Sequence, residues 1–195
     1  MKKITLLFAA LLLFSAGGIM AQDDEIRTIF SETEIVRISG FGGPEMSFSM
    51  MNGDFAHFMG GGGGVLFNNF FIGGYGTGLT NGIMYNSDDP QIVEYGHGGL
   101  WFGYEFNYRN AIHPVVSLKT GWGGVESKTG YSHYYDNSVF VVTPMIGVEA
   151  NITKFFKVRL GAECQVATGV GNLDGINEKD LLAPGANLSF LFGWF

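Results

Sequence analysis

Four histidines are the side chains of this 195-residue chain with the widest chemical range. They are His57, His97, His113 and His133. Ser132 and Asp136 lie close to His133 in sequence, and Ser117 follows His113 by four positions. A histidine with a serine and an acid is the arrangement that a lipid hydrolase or acyltransferase would use. Neither set lies in a specific motif, so the sequence predicts no catalytic residue.

Metal, nucleotide and nucleic-acid sites are not predicted either. No two histidines have metal-ligand spacing, and Cys164, the one cysteine, cannot form an internal disulfide or a cysteine-based zinc site. The Gly60–Gly64 run lacks the Gly-Lys-Ser/Thr that completes a phosphate-binding loop. A net charge of −7 disfavours contacts with a phosphate backbone. We therefore expect no cofactor, no metal, no nucleic-acid partner and no enzymatic activity.

The first 34 residues are predicted to lie outside the folded domain. Met1–Lys3 is basic, Ile4–Phe14 is apolar, and small residues then precede a polar segment. This order predicts a secretory signal peptide over residues 1–21, because the apolar stretch is shorter than the roughly 20 residues that span a bilayer. Residues 22–34 read as an acidic N-terminal lead, and residues 35–195 as one domain.

The remaining chain has the two-residue period of β-strands. Between Phe156 and Val166 the even positions are apolar and the odd positions are polar or small, which gives the strand two different faces. Helices are not expected, because each of the 31 glycines would cost about 1 kcal/mol in a helix relative to alanine. The alternation predicts eight strands, over residues 35–48, 55–67, 70–80, 92–106, 114–126, 138–151, 155–168 and 184–195.

The predicted connections alternate between short turns and longer polar loops. The shorter ones are Asn68-Asn69, 107–113 and 152–154. The others, mostly longer, are 50–54, 81–91, 127–137 and 169–183. Long strands joined in this way are typical of an all-β, eight-stranded antiparallel up-and-down transmembrane β-barrel.

Side-chain chemistry favours a membrane barrel over a soluble one. A soluble carrier buries its apolar face, whereas a membrane barrel turns that face toward lipid. The polar face carries few charges, of both signs, as a narrow lumen would require. They are Glu105, Lys119, Glu149, Lys157, Arg159 and Glu163. Other inner positions are predicted to be glycines, either Gly74, Gly76 and Gly78 or Gly121 and Gly123. The predicted interfacial aromatic girdles comprise Phe67, Phe70, Phe71, Tyr104, Phe106, Phe155, Phe156, Trp194 and Phe195.

Residues 35–195 resemble the small bacterial outer-membrane β-barrel proteins of the OmpA/OmpX-like type. The resemblance is architectural except in the final strand, which ends on Phe195. It implies localisation in the cell outer membrane, contact with outer-membrane lipid, and recognition of that strand by the barrel-assembly machinery. The family places apolar residues in phase with the terminal aromatic residue. Here the stronger apolar set is out of phase with it: Leu188, Phe190, Phe192 and Trp194.

The predicted role is structural or surface interaction without catalysis. Loops 81–91, 127–137 and 169–183 would face the outside and contact an unidentified surface partner. Two alternatives stay open, namely a membrane-embedded lipid-modifying enzyme and a secreted soluble barrel that binds an apolar ligand. A porin is not expected, because eight strands enclose a lumen just wide enough for side chains.

The polar face also predicts an ion pair inside the lumen. The charged residues of strands 138–151 and 155–168 all have odd numbers. Two of them that lie opposite each other in the antiparallel pair therefore have residue numbers with an even sum, and this requires an odd number of residues in the connecting loop. A three-residue loop would place Glu149 opposite Lys157, and a five-residue loop would place it opposite Arg159. The same phase directs Cys164 toward lipid.

Overall fold

Alternating inner and outer side chains build nine β-strands in the described part of the chain. The structure, a computed structural model, describes residues 37–85, 91–129, 133–169 and 178–195. Its strands are β1 (Ile38–Met51), β2 (Asp54–Phe67), β3 (Phe70–Leu79), β4 (Ile83–Tyr85), β5 (Gln91–Glu105), β6 (Ile112–Thr129), β7 (His133–Asn151), β8 (Phe156–Thr168) and β9 (Ala183–Gly193). A short 3-10 helix, Glu178–Leu181, precedes β9. The predicted signal peptide, 1–21, and acidic lead, 22–34, lie outside the described residues and stay predictions.

The long strands close into an eight-stranded antiparallel barrel. They pair in sequence order, β3 pairs with β5, and β1 pairs with β9 to close the cylinder. The short strand β4 pairs with β5 beyond the end of β3. This is the predicted up-and-down topology, and each of the eight predicted strands overlaps an observed one. Among the described residues, no helix is both long enough and apolar enough to span a membrane.

The connections distinguish the two ends of the barrel. One end, here called the short-turn end, has the connections 68–69, 106–111 and 152–155. Asn68 and Asn107 adopt φ of 53° and 50° there, a left-handed conformation that asparagine tolerates. The opposite end, here called the loop end, has the connections 52–53, 80–90, 130–132 and 169–182.

Two loop-end connections are shorter than predicted. Residues 50–54 contain a two-residue hairpin turn, because Asn52 and Gly53 both adopt positive φ, at 52° and 86°. Residues 127–137 are mostly strand, since β6 and β7 stay paired as far as Thr129 and His133. Polar side chains in that segment suggested a loop, but strand pairing extends through them.

The β6–β7 hairpin extends beyond the end of β8. The ladder between β7 and β8 ends where Phe140 pairs with Thr168. Among the described residues, His133–Val139 of β7 therefore pairs with β6 alone. At about 3.3 Å per residue this segment extends by roughly 23 Å.

The outer surface of the barrel is apolar, and most of its charged strand residues are buried inside. The exposed fractions are 69% for Trp122, 66% for Ile146 and 53% for Leu160, all on outward positions of neighbouring strands. By contrast, Glu149 and Arg159 are 0% and 1% exposed. This distribution is the reverse of a soluble protein and matches a barrel that spans lipid.

The inward direction of β3 differs from the prediction. Gly74, Gly76 and Gly78 face outward, because Tyr75, which is 7% exposed, lies on the inner phase of this strand. The alternative inner glycine, Gly121 on β6, is buried as predicted.

Two residues predicted for the aromatic girdles point inward instead. Phe71 is fully buried, because it shares the inner phase of β3 with Tyr75. Phe195 packs against the inner apolar side chains near the short-turn end. The exposed aromatic residues at that end are Phe67, Phe70, Tyr104, Phe106, Phe155, Phe192 and Trp194. Phe156 lies on the outward phase of β8 and stacks on Phe192, with ring centroids 5.0 Å apart.

Two apolar clusters fill much of the lumen. The cluster toward the loop end includes Met51, Phe58, Tyr95, Val139 and Leu181, the last contributed by the 3-10 helix. The cluster toward the short-turn end comprises Phe41, Leu66, Phe71, Tyr75, Trp101, Val115, Met145 and Leu191, with Phe195 packed against it. Trp101 lies edge-on to Phe41 and Phe71, with ring centroids 5.6 and 5.4 Å apart. Charged layers occupy the remaining space.

Candidate functional site

Glu149 is the centre of a charged cluster in the lumen near the short-turn end. It pairs with Arg159 in the β7–β8 register, which is the five-residue alternative of the sequence prediction. Arg159 Nε donates to Glu149 Oε2 at 2.8 Å, and Lys157 Nζ donates to Oε1 at 2.7 Å. All three residues are at most 1% exposed. The predicted inner pair is thus formed, and both bases contact the same carboxylate.

A second carboxylate, Glu105, extends the cluster across the lumen. Lys157 Nζ donates to both oxygens of Glu105 at 3.2 Å. Arg37 Nη1 donates to Glu105 Oε2 at 3.2 Å and to the carbonyl oxygen of Asn68 at 3.1 Å. Buried charges require partners of this kind, because an unpaired charge in the interior is strongly destabilising. The cluster therefore ties β1 and β5 to β7 and β8.

His113 belongs to this cluster as a buried neighbour. Its Nε2 lies 3.3 Å from Glu149 Oε1, and its Nδ1 lies 3.2 Å from the carbonyl oxygen of Asn110. The ring is held between a carboxylate and a backbone carbonyl. It is 1% exposed, so a substrate in solvent or lipid does not reach it directly.

Of the two candidate catalytic sets, the structure describes the side chains of His113 and Ser117, which do not come together. Ser117 lies four residues along the same strand as His113, about 13 Å away. The Ser117 hydroxyl contacts Met145 Sδ at 3.9 Å instead. Ser132 lies outside the described residues, as do the side chains of His133 and Asp136.

Three members of the cluster have the donor types of a metal site. Ligand atoms of Glu105, His113 and Glu149 all lie within 4.8 Å of one another. However, Lys157 and Arg159 already contact the same two carboxylates, and Arg159 Nη2 is 2.6 Å from Glu149 Oε2. A divalent cation would have to displace these bases or be repelled by them. The chain's own cations therefore neutralise the carboxylates.

A second charged layer lies nearer the loop end. Lys119 Nζ donates to Glu45 Oε2 at 2.6 Å and lies 4.0 Å from Glu163 Oε2. Asn187 and the hydroxyls beside it continue this layer, with Asn187 Nδ2 donating to Ser47 Oγ at 3.1 Å. The layer connects β1, β6, β8 and β9 through the lumen.

A hydrogen-bonded chain crosses the barrel at His97. The Tyr75 hydroxyl lies 3.0 Å from His97 Nδ1, and His97 Nε2 lies 2.7 Å from Gln165 Oε1. The chain joins β3 and β5 to β8 on the far side of the lumen. No local sequence pattern pairs His97 with Gln165, because the two residues are 68 positions apart. Together, the described lumen residues connect opposite walls of the barrel.

Comparison with known proteins agrees with this architecture. No protein-family model and no curated protein matches the chain. The crystal structure of Neisserial surface protein A has a TM-score of 0.60 and 10% identity, over 81% of this chain and 97% of that one. The N-terminal β-barrel domain of Pseudomonas aeruginosa OprF has a TM-score of 0.56 and 12% identity, over 80% and 96%. The chain therefore has the eight-stranded fold of the small bacterial outer-membrane barrels.

Proposed function

We propose that this protein is a non-enzymatic barrel of the cell outer membrane with a structural or surface-interaction role. The observation that carries the proposal is the distribution of side chains, with apolar residues exposed on the outer wall and charged residues buried inside. Trp122 is 69% exposed on the outer wall, whereas Lys157 is 1% exposed inside. An apolar exterior of this extent is unstable in water and is matched by hydrocarbon. Outer-membrane lipid is therefore the first proposed partner.

The loop end is the proposed outer surface, with the short-turn end in the periplasm. The two longest connections, 80–90 and 169–182, lie at the loop end, and the β6–β7 hairpin extends beyond β8 there. Connections 81–91 and 169–183, together with the strand-paired tip of the β6–β7 hairpin within 127–137, would contact a surface partner. Asp54 and Glu178 are exposed at this end. The sequence adds Asp88 and Asp89 in connection 80–90 and Asp174 in connection 169–182, so a partner with a basic surface is favoured.

The final strand is the proposed contact for the barrel-assembly machinery. Phe195 lies on the inner phase, where Lys157 Nζ is 4.3 Å from its ring centroid. Trp194 and Phe192 lie on the outer phase and are 84% and 48% exposed. We therefore assign the lipid-side aromatic signal to Trp194 and Phe192. Phe195 instead anchors the end of the strand to the lumen.

The two alternative functions have less support. A soluble carrier needs an apolar cavity inside, yet the described lumen is occupied by Trp101, Phe58 and other side chains that pack together. A lipid-modifying enzyme needs a histidine near the membrane edge. The described candidate, His113, is enclosed by Glu149 and a backbone carbonyl.

Membrane fractionation with a heat-modifiable gel shift tests the proposal. We expect the protein in the outer-membrane fraction, and we expect it to migrate faster unboiled than boiled in detergent gels. Recovery in the soluble periplasmic fraction without detergent would overturn the proposal.

The absence of catalysis is tested separately in reconstituted vesicles. Phospholipid or lipopolysaccharide incubated with the folded barrel should remain unmodified by mass spectrometry. Turnover that is lost in both His113→Gln and His133→Gln, with the gel shift intact, would instead identify the enzyme alternative.

A further inference from the structure

A cavity opens at the short-turn end of the barrel. Its volume is about 450 Å³. Its lining comes from the start of β1, from the β5–β6 and β7–β8 connections, and from the end of the chain. The lining residues are Arg37, Tyr108, Arg109, Asn151, Thr153, Lys154, Lys157 and Phe195. Because they surround the mouth of the lumen, the cavity opens to water and not to the apolar belt.

The charged side chains of this lining are all positive. Four of its side chains are cationic and none is acidic. Lys157 and Arg37 contact Glu105 deeper in the lumen, but Arg109 and Lys154 are exposed and form no ion pair with any described residue. A terminal carboxylate at Phe195 would still leave the lining with a net positive charge. The cavity is therefore suited to a negatively charged group.

Two of the cationic side chains contact an aromatic ring of the lining before any ligand binds. Arg37 Cζ lies 4.4 Å and Arg109 Cζ 5.7 Å from the centroid of the Tyr108 ring. Asn151 Nδ2 donates to the carbonyl oxygens of Tyr108 and Asn110 at 3.0 and 2.8 Å. These contacts fix the β5–β6 connection against β7. Such preorganisation lowers the entropic cost of binding.

An unused donor completes the cavity. Arg37 Nε is buried and has no hydrogen-bond partner among the described residues. Its side chain is 11% exposed, and the same guanidinium donates through Nη1 to Glu105. A buried donor without a partner is rare, because nearly all such groups in proteins are satisfied. Since solvent does not reach Nε, an anion oxygen would contact it only after a rotation of the Arg37 side chain.

We infer that the short-turn end carries a binding site for a phosphate group that is presented from the aqueous phase. Guanidinium and ammonium groups are the side chains that bind phosphate oxygens best. The site is independent of the surface role proposed for the opposite end. The position at the lumen mouth favours a soluble phosphate over the headgroup of a membrane lipid, which would approach from the outer wall.

Titration of the folded barrel with inorganic phosphate tests this inference. The full-length chain is refolded in zwitterionic detergent at constant ionic strength, and amide NMR shifts are followed. We expect saturable shifts at Tyr108, Arg109, Thr153 and Lys154. The double variant Arg109→Gln/Lys154→Gln should bind about tenfold more weakly, because two nearby unit charges are lost. Lys179→Gln, an exposed cation in the 3-10 helix at the opposite end, serves as the matched control and should bind like the unmodified protein.

Three outcomes would overturn the inference. The first is no saturable shift at the four amides. The second is an equal loss of binding in Lys179→Gln and in the double variant, which would indicate a general charge effect. The third is a response only in nanodiscs that contain phosphatidylglycerol, without free phosphate, since it would assign the cations to lipid headgroups. A heat-modifiable gel shift in both variants establishes that each barrel has folded.

Discussion

Glu149 on β7 lies directly opposite Arg159 on β8 and accepts a hydrogen bond from its Nε at 2.8 Å. Lys157, two residues earlier on β8, contacts the other oxygen of the same carboxylate. A slip of one residue between the strands would turn both bases toward lipid, where the cost of each rises from about 0–1 kcal/mol near the interface to about 2–4 kcal/mol at the midplane. The buried carboxylate and the outer apolar face therefore specify the same register.

Replacing Glu149 by alanine should destabilise the barrel by about 3 kcal/mol. The change leaves Lys157 and Arg159 buried with only Glu105 to pair with, and a broken buried ion pair is costly. Urea unfolding in lipid vesicles, followed by tryptophan fluorescence, measures the loss. The double variants with Lys157→Ala and with Arg159→Ala should each cost less than the sum of the single changes. Additive effects in both cycles would reject the shared-carboxylate arrangement.

The two faces of the glycine-rich wall should respond differently to alanine. At Gly62 an added Cβ would lie 3.0 Å from Trp101 Cε3 and 2.9 Å from the Gly74 carbonyl oxygen. Gly62→Ala should therefore destabilise the barrel by roughly 1–3 kcal/mol. At Gly76, which faces outward, an added Cβ meets nothing within 4 Å. Gly76→Ala is the matched control, expected within about 0.5 kcal/mol of the unmodified protein. The same urea titration distinguishes them, and equal losses would contradict the assigned faces.

Cys164 should be shielded from water-soluble reagents in the intact membrane. It lies on the outer phase of β8, opposite Pro184 of β9. A membrane-impermeant maleimide should leave it unlabelled until the barrel is denatured, whereas a lipid-soluble maleimide should label it in place. Glu178→Cys in a Cys164→Ser background provides an exposed control that both reagents label. Rapid labelling of Cys164 by the impermeant reagent would show that its face is misassigned.

The last two residues should affect different steps of biogenesis. Trp194→Ala removes an outward aromatic residue that is 84% exposed, and we expect it to lower the yield of assembled barrel in cells. Phe195→Ala removes the ring beneath Lys157 and should lower stability by about 1–2 kcal/mol, with assembly close to normal. Pulse–chase formation of the unboiled gel species measures assembly, and urea unfolding measures stability. If Phe195→Ala impaired assembly and Trp194→Ala lowered only stability, the assembly signal would belong to Phe195.

The sequence predicted the strands where alternation was long and chemically sharp. On β8 each inner position between Lys157 and Gln165 is polar or glycine and each outer one is apolar, so a single phase fits. On β3 the alternation disappears, because glycines carry no side chain and Phe71 and Ile72 are both apolar. Which face of β3 points inward is decided by Tyr75, whose hydroxyl contacts His97 on the neighbouring strand β5. The sequence of β3 alone does not show that contact.

The contacts across the lumen were beyond sequence analysis for a different reason. Arg37 and Glu105 are 68 positions apart in sequence, and no local pattern pairs them. Closure of the barrel brings such residues together, and side-chain length then decides which ones touch. The parity of one hairpin loop predicted that Glu149 would face either Lys157 or Arg159, and the observed register then selects Arg159.

The pairing of β1 with β9 has a consequence for the order of events during folding. Each other junction joins strands that are close in sequence, whereas the hydrogen bond between Ser47 and Asn187 spans 140 positions. Hairpins with short connections can form early, but loop-closure entropy delays a contact of that separation. The pairing of β1 with β9 is thus the slow step, and it cannot form before the last strand is available. Until then two strand edges lie open, which makes the interval before closure the period when the chain is most exposed to aggregation.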